Sequence, residues 1–124
     1  MEITSVVIKG RQLIQSYGGG GFMVSGMRHR GAVLVFPDHT TAWPAANPDV
    51  SLEALAEVVA AATDIDLLLI GTGAAGTLVT PTLRRALKDV GIAVESMTTP
   101  AACRTFNVLA AEERRVAAAL IAIE

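Results

Sequence analysis

An aliphatic run in the middle of the chain, Ile65 followed by Leu67-Leu68-Leu69-Ile70, stops abruptly in Gly71-Thr72-Gly73-Ala74-Ala75-Gly76. Four consecutive aliphatics leave no polar face, so the pattern predicts a strand covered on both sides, the central strand of an α/β sheet. A second run without alternation, Ala32 to Phe36, predicts another strand of the same kind. The two are expected to be nearly inaccessible and to be neighbours in one sheet. Glycines directly after a central strand let the backbone turn sharply and approach a neighbour, which makes this strand end the first place to look for a site.

Around these runs the signals are local. Thr4 to Ile8 and Leu13 to Tyr17 read as strands joined by Lys9-Gly10-Arg11, a hairpin. Gly18-Gly19-Gly20-Gly21 follows as a flexible loop or a phosphate-cradling nest. The loop is the preferred reading because no P-loop Lys-Ser/Thr comes after it. Phe22 to Val24 continues as strand, and Met27-Arg28-His29-Arg30 is expected to be a basic, solvated turn. Pro37-Asp38-His39 turns the second apolar run back into Thr40 to Trp43, a β-hairpin with Thr41 and Trp43 on one face. Ser51 is placed to cap a helix with the stripe Leu52, Leu55, Val58 or Val59, and Ala62.

After the glycines, Thr80-Pro81 gives a cap and a first-turn proline, and Leu83, Ala86, Leu87 and Val90 follow at helical spacing up to Gly91. Ile92 to Glu95 is a short strand. Thr99-Pro100 repeats the cap-plus-proline start, with Thr99 as the cap. On that helix Ala102, Thr105, Phe106 and Leu109 face the core, which puts Arg104 and Asn107 on the opposite side, where they are expected to serve function more than folding. Val116 to Ile123 is alanine-rich, and composition alone leans to helix at its start.

Composition narrows the function. The chain has 124 residues, enough for one domain spanning residues 1–124, and at 52% hydrophobic it can bury a substantial core. A net charge of −2 with interspersed acids and bases gives no footprint for nucleic acid. No stretch approaches the roughly 20 apolar residues of a membrane span, and Met1 to Ser5 has no leader pattern. A lone Cys103 forms no internal disulfide, which agrees with a reducing compartment, so a cytoplasmic location is expected.

Gly71-Thr72-Gly73-Ala74-Ala75-Gly76 is formally G-x-G-x-x-G, and Glu95 stands where a dinucleotide fold places its ribose-binding acid. The expected helix cap at Thr80, however, leaves Gly76 before the helix, and the preceding strands read as hairpins. A strand exit turned by glycines is preferred over NAD or FAD, and no cofactor is expected. His29 and His39 lack a third ligand at metal spacing. Cys103 has no histidine near it in sequence and reads as a packed thiol. Ser16, Ser25 and Ser96 lack a nucleophile context, and Asp64, Asp66, Asp89 and Glu95 show no acid/base pairing.

The order of features, Tyr17-Gly-Gly-Gly-Gly-Phe22, Arg30-Gly-Ala-Val-Leu-Val-Phe-Pro37, Gly71-Thr72-Gly73, then Gly91 through Leu109 and Arg115 through Leu120, resembles the Mth-type domain family of unassigned function. Its mitochondrial branch includes respiratory complex I assembly factor 3. The Gly91 to Leu109 block is the specific part. Phe106 stands where many relatives have tyrosine, and Glu113 where a turn glycine is common. The resemblance implies a three-layer α/β domain with a mixed central sheet, helices on one side and a β-hairpin layer on the other, and a strand at Val116. It also implies an assembly role through a protein partner, without established catalysis. The alternative is a small, anionic ligand or an unrecognised reaction at the glycine-rich strand end. The residues expected at either site are Gly71, Thr72, Gly73, Glu95, Thr98, Arg104 and Asn107.

Overall fold

The computed structural model describes residues 11–47 and 49–124; the expected Thr4 to Ile8 strand and its hairpin lie outside them. The chain opens with a three-stranded antiparallel meander, β1 (Ile14–Gly18), β2 (Gly21–Val24) and β3 (Met27–Arg30), in that spatial order. Both connections are two-residue turns with positive φ throughout, Gly19 and Gly20 (63° and 82°) and Ser25 and Gly26 (48° and 84°). Such turns carry a twist that matches the flanking strands. The glycine run is therefore a tight hairpin turn with its outer glycines in the strands, and Met27 to Arg30, expected as a turn, is a strand. It pairs with β2 from Gly21↔Arg30 to Val24↔Met27.

The main sheet has five strands. β4 (Val33–Val35) and β5 (Thr40–Ala42) form the expected hairpin, β6 (Leu67–Gly71) is the central apolar run, β7 (Ala93–Met97) is an edge, and β8 (Val116–Leu120) is the alanine-rich segment. Their order is β5-β4-β8-β6-β7, antiparallel from β5 to β8 and parallel from β8 to β7. The two apolar runs share the sheet as expected, but β8 lies between them, so they are not neighbours. Alanine's helical preference is overridden at β8 because both of its edges are paired and both of its faces are covered.

Side chains alternate across β6 and separate two cores. On one face Leu68 and Ile70 meet Leu55 and Val58 of α1 (Ala56–Ala60) and its leading turn, Leu83 and Leu87 of α2 (Pro81–Asp89), and Trp43. On the other, Leu69 meets Ala102, Cys103, Phe106 and Ala110 of α3 (Thr99–Ala111), with Ile14, Phe22 and Val24 of the meander beside it. The layer opposite α1 and α2 is thus the small sheet with α3 alongside.

Helix ends follow sequence chemistry. Thr80 Oγ1 accepts the Leu83 N–H at 3.2 Å, and Pro81 occupies the first position of α2. At the other end the Ile92 N–H bonds the Leu87 carbonyl at 3.0 Å and the Gly91 N–H bonds the Lys88 carbonyl at 2.9 Å, a Schellman closure with Leu87 and Ile92 both buried. Val90 and Leu52, expected in the apolar stripes, are each 42% exposed because these short helices meet the sheet along a narrow line. The cap of α3 is Thr98, one residue before the expected Thr99.

Candidate functional site at the β6 and β7 strand ends

β6 and β7 are adjacent and parallel, yet the chain leaves β6 for α2 on one face and β7 for α3 on the other. Connections that part in this way open a crevice at the carboxyl ends of the strands, where α/β sheets bind ligands. Gly71 closes β6 there. A Cβ on it would lie 3.0 Å from both the Thr99 Cα and the Leu120 side chain, so only glycine lets the start of α3 approach the strand this closely.

The loop after Gly71 is held by its own polar groups. The Thr72 N–H donates to the Met97 carbonyl at 2.9 Å; the Thr72 hydroxyl donates to the same carbonyl at 3.2 Å and accepts the Thr77 N–H at 2.6 Å. Gly73 and Thr99 are reciprocal partners. The Gly73 N–H donates to Thr99 Oγ1 at 3.0 Å, and the Thr99 N–H donates to the Gly73 carbonyl at 2.9 Å. Thr99 Oγ1 then donates to the Ile121 carbonyl at 2.7 Å, and the Ile121 N–H reaches the Gly71 carbonyl at 2.9 Å. One buried hydroxyl therefore joins the ends of β6 and β8 to the first turn of α3.

This arrangement decides what the glycines do. A phosphate nest needs backbone N–H groups aimed outward. Those of Thr72 and Gly73 are committed inward, and at the start of α2 Pro81 has no N–H while Leu83 and Arg84 donate to Thr80. The first part of the G-x-G-x-x-G run, Gly71 to Gly73, thus clasps the end of β6 to β7 and α3.

What faces solvent is different. A hollow of about 320 Å³ lies between Gly76 to Leu78 and Ser96 to Thr98. A second, of about 230 Å³, lies between Asp49, Val50 and Thr80. Leu78 lines both and is 88% exposed. It was outside the expected site; the signal that could have found it is an aliphatic pair, Leu78-Val79, set between a glycine loop and a helix cap, where no helical or strand period applies to it.

The remaining expected residues do not converge into one cluster. Glu95 is exposed on β7 and Arg104 is exposed on α3, and among the described residues no salt bridge joins them. Thr98 caps α3, its Oγ1 accepting the Ala101 N–H at 3.4 Å. Asn107 is not on a free polar face with Arg104; its amide is bound to β1 through both atoms. Cys103 is buried in the α3 core, and desolvation, only partly countered by the Arg104 charge, pushes its thiol up to about 12, so it stays protonated. Among the described residues no group of three metal-ligating side chains occurs, and no helix is long and apolar enough to cross a membrane.

The family described as "protein of unknown function (DUF498/DUF598)" matches residues 14–121. Over 110 residues the chain is 38% identical to the NADH dehydrogenase (ubiquinone) 1 alpha subcomplex assembly factor 3 of Danio rerio, covering 88% of this chain and 63% of that protein. The chain thus spans under two thirds of the length of that relative. A crystal structure described as an outer membrane protein from Bartonella henselae superposes with a TM-score of 0.87 at 39% identity, covering 95% of this chain and all of that one. A Bordetella pertussis solution structure described as a Mth938-like domain superposes with a TM-score of 0.82 at 28% identity, covering 98% and 92%. The chain belongs to the DUF498/DUF598 family and has the Mth938-like α/β fold.

Proposed function

We propose that the protein is a non-catalytic interaction protein that works in the cytoplasm and assists the assembly of respiratory or other membrane complexes. The observation that carries this reading is the inward commitment of the glycine loop. With the Thr72, Gly73 and Thr99 polar groups bound to one another and to strand ends, the most exposed side chain at the crevice is an apolar one, Leu78. An exposed aliphatic side chain beside a shallow hollow suits a protein partner. The resemblance to proteins named as complex I assembly factors supports the same reading. On it, Thr98 lies at the rim of the contact, Glu95 and Arg104 are exposed polar groups outside the two hollows, and Gly71, Thr72 and Gly73 fix its shape.

The test is a photo-crosslinking residue at position 78, activated in respiring cells of the native host. Crosslinks to subunits of a respiratory membrane complex are expected, and they should vanish when the same residue is placed at exposed Glu57. Crosslinks distributed equally from both positions would remove the reading.

A small anionic ligand at the same hollow is the second reading, favoured by the strand-end topology alone. It requires that nucleotides or dicarboxylates at millimolar concentration raise the melting temperature.

A further inference from the structure

We propose that the outer edge of β3 is a docking strand, and that its occupant is an extended acidic segment of a partner protein that pairs beside Arg28 and Arg30. The proposal rests on the protein-partner reading and supplies a second contact for it. It begins with the direction of the backbone groups. The two-residue Ser25-Gly26 turn closes on Val24↔Met27 as a bonded pair. The Gly31 N–H, donating to the Gly20 carbonyl at 2.7 Å, falls in the same phase although the Gly20 N–H goes to the Ile123 carbonyl. In an antiparallel ladder such pairs alternate with open ones. Phe22↔His29 and Val24↔Met27 are then the bonded pairs, and Arg28 and Arg30 turn their N–H and carbonyl groups away from β2.

Contacts or short length limit the other sheet edges among the described residues, and at β1 the Asn107 amide holds both backbone groups of Ile14. At β7 the Arg84 guanidinium donates to the Val94 carbonyl across the edge. β5 is three residues long, too short to template a strand. Among the described residues, β3 is left with two open donor and acceptor pairs in register with a standard strand.

Side chains say which strand fits. Phe22 and Val24 point into the core, so their partners His29 and Met27 share the inner face, while Arg28 and Arg30 stand on the outer face with Met23. Met27 is 66% exposed. Two arginines spaced two apart call for carboxylates spaced two apart on the incoming strand, with aliphatic side chains between them lying against Met27. Beyond Arg30 the edge runs into a hollow of about 410 Å³ bounded by Ala32, Trp43, Pro44 and Ala46, which takes a terminal aliphatic side chain. A second copy of this chain is disfavoured, because pairing β3 with β3 sets arginines against arginines.

The experiment follows amide hydrogen exchange by NMR at Arg28 and Arg30 with a blocked hexapeptide, Val-Glu-Val-Glu-Val-Leu, and a control carrying lysine for glutamate. Saturating acidic peptide should slow exchange at both amides at least tenfold, and the lysine peptide should not. Arg28→Ala should weaken binding several-fold. Arg28→Pro should abolish it, since proline is tolerated where the N–H points outward but offers no donor. The double variant Arg28→Glu with Arg30→Glu, which alters no ladder bond, should reverse the preference toward the lysine peptide.

No slowing at millimolar peptide, equal slowing by both peptides, or slowing that depends on protein concentration without peptide would each overturn the proposal. So would binding to phosphatidylglycerol vesicles with both amides still exchanging freely. If position 78 still crosslinks to its partner in the Arg28→Pro protein while the peptide fails, the docking strand is wrong and the assembly reading stands.

Discussion

Asn107 holds Ile14 by both atoms of its amide: Oδ1 accepts the Ile14 N–H at 2.9 Å, and Nδ2 donates to the Ile14 carbonyl at 2.8 Å. The pair spans 93 positions of sequence and fastens α3 to the first strand of the small sheet. The side chain acts there as one residue of a neighbouring strand would, satisfying a backbone position that the bulge in β1 leaves partly outside its own ladder.

Asn107→Ala would leave the Ile14 N–H and carbonyl without partners in a part-buried site. A loss of about 2 kcal/mol is expected by denaturant titration, against less than about 0.5 kcal/mol for Arg104→Ala on the exposed side of the same helix. Asn107→Asp keeps the acceptor but sets a carboxylate oxygen against the Ile14 carbonyl in a part-buried site, so it should cost at least as much as alanine at neutral pH. Equal, negligible losses for Asn107→Ala and Arg104→Ala would return Asn107 to the surface.

Thr99 and Thr98 separate two roles that sequence cannot. Thr98→Ala removes a helix cap and should cost about 1 kcal/mol. Thr99→Val keeps the volume but strands the Gly73 N–H and the Ile121 carbonyl in a fully buried position, for which about 3 kcal/mol is expected. Chemical denaturation of the two variants side by side measures the ranking, and a larger loss at Thr98 would contradict it.

Glu113 has φ of +63°, a left-handed conformation that glycine adopts without steric cost. Its ion pair with Arg11, 3.6 Å long and 79% exposed on the glutamate side, contributes little. Glu113→Gly should therefore raise stability by up to about 1 kcal/mol, read as an upward shift of the unfolding midpoint. A downward shift would mean that the Arg11 contact or the unfolded-chain entropy outweighs the relieved strain.

The lower end of the sheet gives a pH signature. Arg115 donates to both Asp66 oxygens, at 3.1 and 2.7 Å, and to the Thr63 carbonyl at 3.0 Å. The hydrogen bonds from Arg115, joined by its charge, hold the Asp66 carboxyl below its usual 3.8. Because the folded value is the lower one, the pair stabilises the fold above pH 3.8 and this contribution is lost as pH falls through the folded value. Melting temperatures of wild type and Asp66→Asn should differ at neutral pH and converge in acid; a constant difference would rule the pair out as the cause.

Legibility in the sequence followed how local each cause was. The strand at Leu67 to Gly71, the Thr80-Pro81 start and the Gly91 end of α2 depend on residues within a few positions and were readable. Thr98 and Thr99 were not separable, because proline is tolerated at either of the first two helical positions, where its missing N–H has no partner to lose. β3 was hidden because Met-Arg-His-Arg shows no apolar alternation, and its strand state comes from β2. Asn107 sits at polar helix spacing, and nothing near it in sequence tells that β1 arrives there. The bonding at the strand end was hidden for the same reason: its glycines were visible, but the partners of the backbone groups from Gly71 to Gly73 come from β7, α3 and the residue after β8.

The assembly role is tested most directly by removing the chain from its native host and resolving membrane complexes on native gels. The account predicts that partly assembled respiratory subcomplexes accumulate, that wild-type protein restores the full-size complex, and that Leu78→Asp does not restore it although it melts at the wild-type temperature. Normal complexes in the absence of the chain, or full restoration by Leu78→Asp, would contradict it.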